Sequence, residues 1–174
     1  YFGHPISCYT QKCLIALWAD ETPFDYRMID PDHPENLELL KRHSPYGMFP
    51  LLIDDGRPVF ESSTIIEHLQ AHHPGPNKWI PDGEQGRQAR FLDRFFDLYV
   101  MGNMQKAGLD ILRPEGSRDP YGANKARADL HIAYDWLQAN LGGGPWAIGE
   151  QFTIARCGAA PTLFYADWLE EMGP

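Results

Sequence analysis

A hydroxyl, a thiol and a phenol stand side by side in Ser7-Cys8-Tyr9-Thr10. They lie just ahead of Cys13-Leu-Ile-Ala-Leu-Trp-Ala19, a run that is apolar on every face of a helix. A helix starting there presents unpaired backbone N–H groups and the positive end of its dipole, which stabilise an anion such as a thiolate. A serine hydroxyl can donate to a thiolate and a cysteine can become one; Ser7 suits a plain helix cap equally well. A second helix start, Glu61-Ser62-Ser63-Thr64, follows a short strand directly. Its N–H groups and hydroxyls suit a carboxylate, and Glu61 suits an ammonium, so together they would hold an α-amino-acid head group. A cap with an acidic neighbour complementing the dipole fits the same residues. Between these two starts runs Ser44-Pro45-Tyr46-Gly47-Met48-Phe49-Pro50-Leu51-Leu52-Ile53, a loop entering an apolar strand with a proline at the entrance. Proline belongs at a strand's first residue, and an X-Pro bond is the peptide bond that adopts cis at low cost. A cis Phe49-Pro50 bond would turn the Phe49 N–H and C=O towards an external ligand. A trans proline would simply end the loop.

The elements that must position these groups can be read around them. A strand stump at Tyr1-Phe2 and a loop lead to a helix over Tyr9 to Ala19, which Asp20 to Pro23 end. Phe24 to Ile29 alternates as a strand, and Glu35 to Arg42 forms a short helix. Leu51-Leu52-Ile53, the turn Asp54-Asp55-Gly56-Arg57 and Val59-Phe60 make a hairpin, and Ser62 to His72 is a helix. Helical crossovers make parallel neighbours and a tight hairpin an antiparallel pair, so a small mixed sheet with helices on its faces is expected. Residues 75–83 are expected to be a linker. Beyond it no strand is evident: helices are expected over Glu84 to Gly102, Lys125 to Asn140 and from Thr153 onward, bent at Pro161, with a connection over Asp110 to Gly122 and a glycine-rich stop at Leu141 to Pro145.

Composition narrows the function classes. A net charge of −9, from 15 basic against 24 acidic residues, argues against nucleic acid and anionic membranes as partners. No apolar run is long enough for a spanning helix. No leader segment is read, although the chain opens on Tyr1. The three cysteines, Cys8, Cys13 and Cys157, suggest free thiols in a reducing, cytoplasmic setting. The seven histidines show no metal spacing, and His68, His72 and His73 suit a solvated helix end, so no metal is expected.

Ser7-Cys8-Tyr9-Thr10-Gln11-Lys12, Tyr46-Gly47-Met48-Phe49-Pro50-Leu51 and Glu61-Ser62 resemble, in order and spacing, the glutathione-binding domain of cytosolic glutathione S-transferases. Phe152-Thr-Ile-Ala-Arg-Cys-Gly-Ala-Ala-Pro161 resembles the helical half of that family, so the likeness covers nearly the whole chain. The resemblance implies a thioredoxin-like βαβαββα domain over residues 1–74, the linker, and an all-α domain over residues 84–174 that lacks a C-terminal tail. It implies a cis Phe49-Pro50 bond, with Phe49 pairing to the cysteinyl part of glutathione and Glu61 with Ser62 holding its γ-glutamyl end. Ser7 is favoured over Cys8 as the residue that stabilises the glutathione thiolate, the nucleophile towards a small apolar electrophile. Tyr9, Tyr99, Met101 and Phe164 are the candidates for the electrophile's pocket. Glutathione is then a co-substrate and a homodimer is expected. Thiol transfer or disulfide reduction through Cys8, and glutathione binding without turnover, are the alternatives. Two departures stand out: Met48 where the family usually has a polar residue, and Arg156 where a capping-box acid normally follows Thr153. Arginine offers no acceptor for the reciprocal bond.

Overall fold

The structure is a computed structural model that describes residues 1–141 and 151–171. Among the described residues, four strands form one mixed sheet: β1 (Phe2–Gly3), β2 (Arg27–Met28), β3 (Leu51–Asp54) and β4 (Arg57–Phe60), in the order β2-β1-β3-β4. β1 runs parallel to β2 and antiparallel to β3, and β3 pairs antiparallel with β4. Three helices belong to this part: α1 (Cys8–Ala19), α2 (Pro34–His43) and α3 (Ser62–His72). The alternation of β3 divides them between two layers. Leu51 faces the cluster that contains Phe2, Ile29 and Leu40 of α2, whereas Leu52 faces the cluster that contains Leu14 and Leu17 of α1 and Ile66 and Leu69 of α3.

The described residues beyond the sheet and its helices are mostly helical: α4 (Gly83–Phe95), a π-helical stretch (Phe96–Met101), α5 (Gly102–Ile111), α6 (Pro120–Asn140) and α7 (Ile154–Glu171). Three boundaries move from those expected. The helix from residue 84 runs on through the π-helical stretch to Ile111, so the connection shrinks to residues 112–119. α6 starts at Pro120 rather than Lys125, because proline suits the first helical position and Asp119 caps it, accepting from the Gly122 N–H at 2.8 Å. The strand expected over Phe24 to Ile29 is paired only at Arg27 and Met28, because β1, its partner, is itself two residues long. α7 continues through Pro161. The expected stop at residues 142–145 lies outside the described residues.

Residues 75–83 are tied down rather than loose. Asp20, at the end of α1, accepts from the Asn77 N–H, from Asn77 Nδ2 and from Trp79 Nε1 at 2.7–3.1 Å. Trp79 is fully buried; its carbonyl accepts from the Ile154 N–H at 2.9 Å, and its ring meets Phe152 edge-on. The first turn of α7 is therefore anchored on the connecting segment, and one of its unpaired donors is satisfied there despite Arg156 at the capping-box position. One continuous apolar cluster runs from α1 and α3 through Trp79 to Leu92, Phe95, Phe96, Ile154 and Cys157.

Through this cluster passes an ionic contact. Lys12 of α1 is 1% exposed, and its Nζ lies 2.7 Å from a carboxylate oxygen of both Asp93 and Asp97. It also donates to Ser63 Oγ of α3 at 2.9 Å, and Ser63 in turn donates to Asp93 at 2.6 Å. Burial works against the ammonium, but the two carboxylates outweigh it and hold the Lys12 pKa above its usual value. Burial pushes the Asp97 carboxyl up, Lys12 draws it down and Asp93 adds to the rise. Two carboxylates share one cation; the hydroxyl of Ser63 and the positive start of α3 take up part of the remaining negative charge. Removing the cation leaves both carboxylates buried and uncompensated. Lys12→Met is therefore expected to lose about 3–5 kcal/mol of stability in urea unfolding; a loss below about 1 kcal/mol would show that the contact does not hold these helices together.

Candidate functional site

Strand register brings three chain segments to one end of the sheet. Phe2, Leu51 and Phe60 form a single rung across β1, β3 and β4. One step beyond it lie Gly3, where the chain leaves β1; Pro50, where it enters β3; and Glu61, where it leaves β4. The loop before α1, the Phe49-Pro50 step and the start of α3 therefore emerge side by side, in that lateral order.

On the β1 side, Ser7 is the N-cap of α1. Its backbone is extended at φ −74°, ψ 122°, and its Oγ accepts from the Thr10 N–H at 3.3 Å. The cap uses the oxygen as an acceptor and leaves the O–H proton free to be donated outward. Capping and thiolate stabilisation, alternatives on sequence grounds, are thus compatible in one side chain. The loop that presents Ser7 is stitched to α1: Ser7 N–H donates to His4 O, His4 N–H to Thr10 Oγ1, and Gln11 Nε2 to Pro5 O. Gly3 permits this, because a Cβ there would fall 2.5 Å from Thr10 Cγ2. Cys8, the next residue, points the other way and is 5% exposed, against Met101, Met104, Ala107, Ala126 and Ala166.

In the middle, the Phe49-Pro50 bond is cis. The loop before it is closed by Ser44, whose carbonyl accepts from the Gly47 N–H and whose Oγ accepts from the Met48 N–H. Gly47 sits at φ +62°, a conformation that glycine adopts without steric cost. The Phe49 ring packs against the cluster containing Leu40 and Leu51, while Tyr46 and Met48 are exposed.

On the β4 side, Glu61 precedes α3 at φ +64°, ψ 126°, a region that costs a non-glycine residue about 1–3 kcal/mol. Its carbonyl accepts from the Ile65 N–H at 2.9 Å, the first turn of α3, but its side chain makes no cap bond. Such strain persists where the surrounding structure imposes it, and it leaves the Glu61 carboxylate exposed at the helix start. Ser62 follows at the first helical position and is buried, its carbonyl accepting from the Cys13 thiol at 3.5 Å.

The four residues named for a second pocket do not form one wall. Met101 is 1% exposed and belongs to the small core with Cys8. Tyr9 packs on that same core and donates to the Asp97 carbonyl at 3.5 Å. Tyr99 packs on Phe95, with ring centres 5.1 Å apart, and Phe164 lies largely exposed with its ring edge-on to Tyr165. Sequence reading passed over Tyr165, which packs on the core shared by Cys8 and Tyr9 and whose hydroxyl accepts from Gln11 Nε2 at 3.1 Å. It also passed over Asp93 and Asp97, which through Lys12 and Ser63 tie the starts of α1 and α3 to the helix behind them; the Ser63 hydroxyl, read as part of an anion site, is used in that contact. Acidic residues on an amphipathic helix carry no local signal of a buried partner.

Residues 2–77 match the family model described as glutathione S-transferase, N-terminal domain. Among curated relatives, the chain is 30% identical over 141 residues to a probable glutathione S-transferase of Oryza sativa subsp. japonica. That match takes in 79% of this chain and 59% of the relative, so the chain spans about three-fifths of that relative's length. Among solved structures, a glutathione S-transferase of Methylobacterium radiotolerans in complex with glutathione sulfonate superposes with a TM-score of 0.81 at 24% identity, over 95% of this chain and 77% of that one. Glutathione S-transferase 1-6 of Anopheles dirus species B superposes with a TM-score of 0.84 at 18% identity, over 100% of this chain and 83% of that one. These structural likenesses establish the shared fold, a thioredoxin-like unit followed by helices. By the family-model match, residues 2–77 belong to the glutathione S-transferase N-terminal domain family, and the helical remainder shares the fold of these solved glutathione S-transferases.

Proposed function

We propose that this chain binds glutathione across the shared rung of β1, β3 and β4 and transfers it, as a thiolate, to a small apolar electrophile. The observation that carries the reading is the lateral order of the three segments. Neighbouring strands stand about 4.8 Å apart, so the site spans about 10 Å, close to the length of an extended tripeptide. Glu61 and the start of α3 receive the γ-glutamyl ammonium and carboxylate. The Phe49 backbone pairs with the cysteinyl unit in the manner of an added strand. The sulfur then lies at the start of α1, where the Ser7 O–H donates to it and the helix dipole favours its negative charge. Residues 1–74 act as the glutathione-binding domain and residues 84–174 as the helical domain against which the electrophile lies, near Tyr9 and Tyr165. A cytoplasmic homodimer is the working assembly of this reading.

Thiol transfer through Cys8 is disfavoured on physical grounds. Burial pushes the Cys8 thiol up to about 12, with its own backbone hydrogen bond only partly opposing the rise. A thiol so held is protonated at neutral pH and is a poor nucleophile. Burial raises Cys13 and Cys157 as well.

Two measurements separate the readings. Thiolate absorbance of bound glutathione, followed against pH, is expected to titrate at least one pKa unit below the free thiol in the wild type and at the free value in Ser7→Ala. In the same variant kcat/KM with an activated aryl halide is expected to fall about 100-fold, the scale of losing one donor to a developing or resident anion. Cys8→Ala is expected to keep conjugation; loss of conjugation in Cys8→Ala with Ser7→Ala unaffected would reverse the assignment, and binding without turnover of any electrophile would leave a glutathione-binding protein. Separately, a disulfide reagent at pH 8 is expected to find the three thiols unreactive in the folded protein and all reactive in denaturant. Rapid labelling of Cys8 in the folded state would restore the thiol-transfer reading.

A further inference from the structure

At the opposite end of the sheet, three metal-ligating side chains converge where sequence spacing gave no sign of a site. Asp54 is the last residue of β3. Its Oδ2 lies 2.8 Å from His68 Nε2 and 2.9 Å from His73 Nε2, and one ligand atom from each of the three lies within 4.8 Å of the others. His68 and His73 are five residues apart, which on a regular helix sets them about 140° apart in direction. His73 follows α3 as its C-cap, however, and its backbone leaves the helix at φ −132°, ψ 58°, which sets its ring beside that of His68, with centres 6.3 Å apart. His72 packs on the His68 ring, with centres 4.3 Å apart. The side chains are 24%, 19% and 42% exposed for Asp54, His68 and His73, so they are partly ordered by their surroundings yet reachable from solvent.

We propose that Asp54, His68 and His73 form a binding site for a first-row divalent cation, with Zn2+ the best match. Two imidazole nitrogens and one carboxylate oxygen are a zinc-type donor set, whereas Ca2+ and Mg2+ require oxygen donors throughout. Zinc bonds of 2.0–2.2 Å in a tetrahedron place ligand atoms about 3.3 Å apart, so Asp54 Oδ2, at 2.8 and 2.9 Å from the two imidazole nitrogens, needs to draw back from each by only about half an ångström to admit the ion. Its entry replaces the Nε2 protons that the two imidazoles share with Asp54, and those rings then carry their proton on Nδ1. Three protein ligands leave a fourth position for water. Asp54 and His73 also line a cleft of about 480 Å3 with Tyr1, Phe24, Asp25 and Arg27, which gives that position an open side. The bound ion fastens the end of β3 to the end of α3. The site lies away from the proposed glutathione cradle and does not depend on it.

The test uses the whole chain, stripped with a chelator and titrated with Zn2+ in competition with a chromophoric chelator. One equivalent is expected to bind, and the melting temperature to rise by about 5–10 °C at a zinc concentration a hundredfold above Kd. His68→Gln and His73→Gln, each checked for folding by circular dichroism, are each expected to weaken binding at least tenfold, whereas His72→Gln keeps it. Ca2+ and Mg2+ are expected to leave the melting temperature unchanged. Absence of a stoichiometric site in the wild type, or a loss smaller than tenfold in both His68→Gln and His73→Gln, would overturn the proposal and leave the cluster as a hydrogen-bonded tie between β3 and α3.

Discussion

The buried contact of Lys12 with Asp93 and Asp97 sets the geometry on which the candidate site rests. Lys12 lies five residues after Ser7 on α1, and Ser63, which bridges it to Asp93, lies two residues after Glu61 on α3. One ammonium thus fixes the positions of both helix starts that flank the cradle and ties them to the long helix packed behind them. A buried pair of this kind contributes less to net stability than its distances suggest, because desolvation offsets much of the attraction. What it does fix is register. With the cation in place α1 and α3 hold a single relation to each other and to Asp97, which lies in a π-helical stretch, a distortion common at functional sites.

The site itself is built from backbone as much as from side chains. A cap serine whose oxygen serves as the acceptor of the cap bond, a cis peptide step before Pro50 and a strained, exposed residue ahead of α3 stand side by side at one end of the sheet. Cys8 illustrates the contrast. It is adjacent to Ser7, yet its place on the inward face of α1 turns it into a small apolar core residue. The direction of one Cα–Cβ bond on a helix thereby separates a residue suited to hold an anion from one that cannot become one at neutral pH.

How much of this the sequence disclosed follows the range of the signals. The helix over Ser62 to His72 and the hairpin at Asp55-Gly56 were legible because turn residues and caps act over a few positions, whereas the cis step at Phe49-Pro50 was expected only from the family resemblance, the local sequence fitting a trans proline as well. The burial of Lys12 was not, since its partner Asp97 lies 85 residues further along the chain. The segment over 75–83 looked like a linker because proline and glycine dominate it, while Asn77 and Trp79, which hold it to Asp20, are ordinary in a local window. Tyr99 and Met101 were named as pocket candidates alongside the family resemblance, with core packing the alternative, and no local pattern decided between the two; both lie within the π-helical stretch, where the wider turn shifts which face a residue occupies. Met101 consequently joins the core and Tyr99 faces Phe95.

The most direct test is a crystal structure of the chain with glutathione bound. The tripeptide should lie along the ends of β1, β3 and β4, its sulfur within hydrogen-bond distance of Ser7 Oγ, its cysteinyl backbone paired with Phe49 and its γ-glutamyl group at Glu61 and Ser62. Glutathione seated elsewhere, or with its sulfur turned away from the start of α1, would contradict the account.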